Sequence, residues 1–304
     1  MAKASRMITH VPEPERIDTV VSTIRDRIMA AGDLPHVTVA EQLDLLEQLA
    51  DFPFGRFLMS NRGWNGYWTH QVVVYHPQVG RQSGADEVGR PYTALERKVL
   101  DFPLCRATQE RFTHFRAALQ KQVRTGVRMG SLPCGLMDDL LGLDFSGVSR
   151  YTLVGIDLDT DSLRQAALNA QMRGIFGHTE FLREDGWDRG DDELDVLASS
   201  GLNIYEPNSG RIIDLYRAFR HRLAKGGLLV TSFLTPSADH DTSVCSPDEL
   251  RLQRIVFDDI VGVRFTARRT SEETKSLLAQ ARFEVAEIIY DRARMFPTVV
   301  ALRG

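Results

Sequence analysis

Between residues 126 and 304 the chain alternates short apolar runs with amphipathic stretches, and this alternation restricts the fold more than any other feature. Strand-length apolar runs separated by helix-length periodic segments are the mark of βαβ units, which build a doubly wound parallel sheet with helices on both faces. The expected order is strand Gly126–Leu132, strand Tyr151–Ile156, helix Asp161–Arg173, strand His178–Arg183, strand Leu194–Ala198, helix Arg211–Leu223 and strand Leu228–Phe233. Asp159 or Thr160 can cap the first helix, and Gly174 sits where a left-handed residue closes it. Gly226-Gly227 turns the chain into the fifth strand. Thr270 and Glu273 have the spacing of a capping box, which opens a further helix. Phe283–Tyr290 and Thr298–Leu302 then close the sheet as an antiparallel pair.

Residues 1–125 lack this alternation and read as a mostly helical cap, so the expected division is 1–125 and 126–304. Helical spacing covers Asp18–Ala30, Val39–Ala50, Tyr92–Leu100 and Ala107–Val123, with Leu43, Leu46 and Leu49 near one face of the second. The prolines and glycines from Pro77 to Pro91 mark a polar loop, the best candidate for a lid-like segment. With 37 Lys+Arg against 41 Asp+Glu, the net charge of −4 argues against bulk nucleic-acid binding. Cys105, Cys134 and Cys245 are too dispersed for a disulfide framework or a CxxC zinc site, and the histidines form no HxxxH-type pair, so no metal site is expected. Met1–His10 contains no continuous apolar run, and no stretch is long enough to span a membrane. The expectation is a cytoplasmic protein.

In an open α/β sheet, ligands bind at the carboxyl ends of the strands. The first strand ends in Ser131-Leu132-Pro133-Cys134-Gly135, followed by a helical stretch Leu136–Leu143. A small residue in that turn lets backbone approach a ligand closely. The second ends in Asp157-Leu158, and a carboxylate there can accept two hydrogen bonds from a ribose diol. After the third comes Glu184-Asp185-Gly186-Trp187: Asp185 can accept from an adenine amino group, and the Trp187 indole can stack on a purine. The fourth ends in Ser199-Ser200-Gly201-Leu202-Asn203-Ile204-Tyr205-Glu206-Pro207.

VGIDLD, EDGWD, SSGLNIYEP and LAKGGLLVTSF, in this order and spacing, resemble the class I methyltransferases that use S-adenosylmethionine. The resemblance covers residues 126–304 and implies a Rossmann-like sheet with an antiparallel terminal pair. It implies a cofactor site at Ser131, Pro133, Cys134, Gly135, Asp157, Leu158, Asp185, Gly186, Trp187, Ser199, Ser200 and Gly201. Asn203 and Tyr205 are then the catalytic candidates that orient an acceptor. One departure stands out. The family's first motif has an acidic residue before a glycine-rich turn, and here Ser131 occupies the acidic position, with only Gly135 left of the glycines. That acid normally holds the cofactor's amino group.

Each assignment has a structural alternative. Asp157 could be a helix cap, Asp185 a loop residue, Ser199-Ser200-Gly201 a tight turn, and Tyr205 part of the core. The front half also contains Trp64, Asn65, Tyr67 and Trp68, read either as a loop that packs on the main domain or as a pocket wall. Aromatic faces there could hold a cationic group for about 0.5–2 kcal/mol each. His240, after the fifth strand, is either a base near the substrate or a residue of a solvated loop. Three functions remain open: methyl transfer to a small molecule, cyclisation of the cofactor itself to azetidine-2-carboxylate and methylthioadenosine, and non-catalytic binding. Cyclisation needs a neutral amine, and Ser131 in place of an acid is consistent with that.

Overall fold

The computed structural model describes residues 16–304, so the Met1–His10 segment lies outside the described residues. Two compact units divide these residues: 16–106 with 241–265, and 107–240 with 266–304. The division falls at 106/107 and not near 125, because Ala107, Phe115, Ala118 and Leu119 are buried on the sequel side, the last three in the core of the sheet unit. Residues 241–265 form a second segment of the helical unit, which the linear texture of the sequence does not reveal.

In the helical unit, α1 (Ile17–Ala31), α2 (Val39–Ala50) and α3 (Pro53–Asn61) pack together. Thr38 caps α2 by accepting from Glu41 N. The buried stripe of α2 is Gln42, Leu45, Leu46 and Leu49, and Leu43 is only half-buried. After α4 (Gly66–His70), a π-helix runs over Gln71–Gly80 and α5 (Arg81–Ser83) follows. The expected loop from Pro77 to Pro91 is therefore helical for its first half. Burial of Val72, Val73, Val74 and His76 outweighs the missing N–H of Pro77. The remainder is a hydrogen-bonded turn: Asp86 accepts from Val88 N and Arg90 N, and Arg90 pairs with Glu96 at 2.7 Å. The next helices are α6 (Ala94–Leu100) and α7 (Pro103–Gln120), the latter straddling the division.

The other unit holds a seven-stranded sheet: β1 (Val127–Ser131), β2 (Tyr151–Asp157), β3 (Thr179–Arg183), β4 (Leu194–Ser199), β5 (Leu223–Ser232), β6 (Phe283–Ile289) and β7 (Thr298–Arg303). Their order is β3-β2-β1-β4-β5-β7-β6, parallel except for β7, which runs antiparallel to both neighbours. This is the expected doubly wound sheet with its antiparallel terminal pair. The order reverses between β1 and β4, so the switch point lies where Ser131 faces Ala198. Period-two alternation divides the core: Met129, Leu153 and Val196 point to one face, Val154, Ile156 and Leu197 to the other.

Of the helices in this unit, α8 (Asp138–Leu141) is shorter than the expected Leu136–Leu143, because Met137 adopts a left-handed φ of 61°. Asp159 caps α9 (Thr160–Met172) by accepting from Asp161 N and Ser162 N. α10 (Ser209–Arg222) starts on Asn208. Further along are α11 (Pro247–Arg254), in the helical unit and continued by a wide-turn helix over Ile255–Val261, and α12 (Ser271–Gln280), opened by the expected Thr270–Glu273 capping box. No helix among the described residues is long and apolar enough to cross a membrane.

The last residue of α10, Arg222, has no exposed surface and pairs with Glu184 and Asp192, each at 2.6 Å, while donating to Asp188 O at 3.0 Å. It fixes the loop after β3. Removing one member of a buried ionic cluster leaves uncompensated charge. Arg222→Met is expected to lower the unfolding free energy by about 3–5 kcal/mol, measured by chemical denaturation.

Candidate active site

All the residues assigned to the nucleoside site, from Ser131 to Gly201, lie in the sheet unit, at or just beyond the carboxyl ends of β1, β2, β3 and β4. Asp157 ends β2 with 8% of its surface exposed. Its Oδ2 accepts from Gly135 N at 3.0 Å and its Oδ1 from Asp159 N at 3.0 Å. Gly135 has a φ of +50°, a left-handed backbone that side chains rarely adopt. Cys134 N donates to Ile156 O at 2.9 Å, so the turn after β1 is bound to β2 at two points. The helix cap is Asp159, which leaves Asp157 to the turn. Burial pushes the Asp157 carboxyl up to about 6.

Ser131 is buried, and its hydroxyl donates to Asp139 Oδ2 at 2.8 Å. Asp139 Oδ1 accepts from Leu140 N at 2.9 Å. A carboxylate is thus brought to the end of β1 from eight residues downstream, by α8. Asp139 keeps some contact with solvent, yet the protein packed around it pushes its carboxyl up to about 6. In sequence, Asp138-Asp139 reads as ordinary acidic residues at a helix start. The spacing from Ser131 was the only signal available.

Beyond β3, Asp185 is half-buried and accepts from Trp187 N at 3.1 Å. Gly186 is buried, and a Cβ there would lie 2.6 Å from Leu202. The Trp187 indole N–H donates to Arg211 O at 2.9 Å, and the Arg211 guanidinium carbon lies 5.0 Å from a ring centroid of the indole. One face of Trp187 is therefore engaged by α10. Leu158 is half-buried, and its carbonyl accepts from Arg183.

Beyond β4, Ser199 is buried, Ser200 is half-buried and Gly201 takes a φ of +101°. Asn203 is 3% exposed, and its amide donates to Ser232 O at 2.7 Å and to Tyr216 Oη at 3.1 Å. Both amide hydrogens are engaged within the protein, so Asn203 fixes the loop's position, while its buried Oδ1 has no partner among the described residues. Arg269 reinforces the same loop by donating to Asn203 O and Glu206 O at 3.2 and 2.6 Å. Tyr205 is half-buried, and its phenol bears electrostatically on Arg111. Arg111, 5% exposed, is a further residue that sequence reading missed, because it reads there as one cation of an amphipathic helix. Burial pulls its guanidinium down to about 9.

Trp64, Asn65, Tyr67 and Trp68 gather within the helical unit, and His240 lies in the sheet unit. Asn65 caps α4, accepting from Trp68 N at 2.9 Å. Trp68 stacks on Phe54 at 4.9 Å, Trp64 meets Phe54 and Phe265 edge-on, and the Tyr67 hydroxyl donates to Glu87 at 2.8 Å. These contacts are internal to that unit. His240 Nε2 lies 3.3 Å from Thr235 O, and burial lowers its pKa.

No family model and no curated protein sequence matches the chain. Among solved structures, a "possible exported protein" from Bordetella parapertussis is 40% identical, with a TM-score of 0.87 over 94% of this chain and 95% of that one. Magnesium protoporphyrin IX methyltransferase from Synechocystis PCC 6803, solved with bound SAH, matches at 15% identity and a TM-score of 0.51, over 78% of this chain and 99% of that one. The fold is that of the class I S-adenosylmethionine-dependent methyltransferases. Within that fold, the chain belongs to the same family as the Bordetella protein.

Asp139 and Asp157 both titrate above the ordinary aspartate value of 3.8. The folded chain therefore holds protons that the unfolded chain has released, and the stability this confers is lost as pH rises from about 4 through about 6. Asp139→Asn does not titrate. Its unfolding free energy relative to wild type is expected to rise by about 1–3 kcal/mol between pH of about 4 and about 7, measured by denaturation at each pH. A difference that falls with pH would show that Asp139 is stabilised as the carboxylate.

Proposed function

We propose that the chain is an S-adenosylmethionine-dependent transferase that methylates a small-molecule acceptor. The observation that carries this reading is the acceptor capacity left at Asp157. A carboxylate has about four lone-pair sites. Gly135 N and Asp159 N occupy one on each oxygen, so each oxygen keeps a site for one hydroxyl of a ribose diol. Asp139 fits the other end of the cofactor. It is ionised at neutral pH and sits at the β1 position where an ammonium would be held. Asp185, half-buried, would accept from the adenine amine.

The bound cofactor would supply an electrophilic methyl group on a sulfonium. The chain's own part is binding, orientation and exclusion of water. Gly201 brings bare backbone to the end of β4, and Asn203 holds the loop that carries Tyr205. The Tyr205 hydroxyl, able to donate or accept, would orient the acceptor. His240, in the sheet unit, is kept as a substrate-side group in this reading. Against the cyclisation alternative, the Asp139 carboxyl beside Ser131 would favour the ammonium form of the amine in this reading. The unpaired thiols Cys105, Cys134 and Cys245 support a reducing, cytoplasmic compartment.

Two measurements test the reading. Asp157→Ala is expected to weaken adenosylhomocysteine binding about tenfold to a hundredfold in calorimetry, through loss of two charge-assisted hydrogen bonds. No binding by the wild-type chain would end the cofactor assignment. Incubation with S-adenosylmethionine alone is expected to give no methylthioadenosine, by mass analysis. Its appearance without an acceptor would establish cyclisation instead.

A further inference from the structure

The buried arginines of the sheet unit are satisfied in different ways. Arg222 has two carboxylates, and Arg269 donates to two backbone carbonyls. Arg111 has neither. It makes no ion pair and one hydrogen bond among the described residues, Nη1 to Ser232 Oγ at 3.3 Å; its Nε, like that of Arg222, has no partner, so the difference lies in the missing carboxylates. Asp291 bears on it electrostatically but has both carboxylate oxygens turned to Met295 N and Phe296 N. The guanidinium carbon lies 3.8 Å from the Phe296 ring centroid, which holds it over an aromatic face while leaving donors unused. A buried charge with no anion in hydrogen-bond contact is costly. A protein keeps one where a ligand completes the pair.

Its location points the same way. Ser232 ends β5, and Nη1 lies 3.7 Å from where a Cβ on Gly201 would stand, so the end of β5 and the turn after β4 meet at the guanidinium. Both residues are at the carboxyl ends of strands, where open α/β sheets bind ligands. The planar fork of an arginine matches a carboxylate through two parallel hydrogen bonds. We propose that Arg111 is the receptor for a ligand carboxylate at the ends of β4 and β5. That carboxylate comes from the aminoacyl tail of the cofactor or from the acceptor. The first source rests on the proposed cofactor reading, and the second stands without it.

The test uses the full chain with Arg111→Gln and Arg111→Lys, the second retaining the charge but not the fork and carrying the same comparison should the first not fold. Calorimetry compares adenosylhomocysteine, which has the aminoacyl tail, with methylthioadenosine, which lacks it. Thermal unfolding compares sodium acetate with sodium chloride at equal ionic strength. If the tail is the source, the substitution weakens adenosylhomocysteine about tenfold to a hundredfold and leaves methylthioadenosine within about twofold. If the acceptor is the source, both nucleosides bind as before, and the stabilisation that acetate gives the wild-type chain disappears. A structural role predicts a lower unfolding midpoint for Arg111→Gln without ligand, whereas a ligand receptor predicts an equal or higher one. Unchanged adenosylhomocysteine binding together with an acetate effect that is absent in wild type, or equal in wild type and variant, overturns the proposal. If the wild-type chain binds neither nucleoside, the cofactor reading falls, and the acetate comparison alone decides for or against Arg111.

Discussion

The hydrogen bond from Gly135 N to Asp157 Oδ2 joins the turn after β1 to the end of β2, and the geometry of the candidate site follows from it. A left-handed glycine presents its N–H to a buried carboxylate, and the carboxylate in return fixes where the turn passes. Parallel strands place these two tips side by side, because Ser131 is in register with Gly155. The acid is held by donors and not by a cation. Both oxygens therefore keep lone pairs that no protein donor occupies.

Charge is distributed unevenly through this unit, and the distribution separates structure from function. Arg222 sits in a closed cluster with Glu184 and Asp192, which anchors the loop bearing Asp185 and Trp187. Arg269 ties down the loop bearing Asn203 and Tyr205 through backbone carbonyls. Glu206 is matched by Arg211. The charges of these groups are matched within the protein, although Arg222 Nε has no partner. Asp139, Asp157 and Arg111 have no such match. Each has hydrogen-bonding capacity that no neighbour uses, and each stands at the carboxyl end of the sheet or in contact with it.

The strands were legible because burial on both faces makes them nearly continuous apolar runs, as in Leu153-Val154-Gly155-Ile156 and Val196-Leu197-Ala198. Caps were equally legible at Asp159 and Thr270, where the chemistry is local. Pro77 misled, because a π-helix with buried valines tolerates it. Asn203 had the position of an acceptor-orienting residue, but whether an amide faces a ligand or Tyr216 depends on partners distant in sequence. Asp139 and Arg111 were hidden for the same reason. One looked like a helix-start acid and the other like a solvated cation, and only the folding of the chain brings them to Ser131 and to Ser232.

The helical unit is discontinuous: residues 16–106 are completed by 241–265, with five parallel strands encoded between them. During synthesis the first segment must wait until residue 265 has left the ribosome before its wide-turn helix Ile255–Val261 can cover α1, α2 and α3. Truncation at the first boundary would expose the apolar sides of those helices, so this portion is not a separable module. The order of emergence also means that β1 to β5 are available to fold before the helical unit is whole.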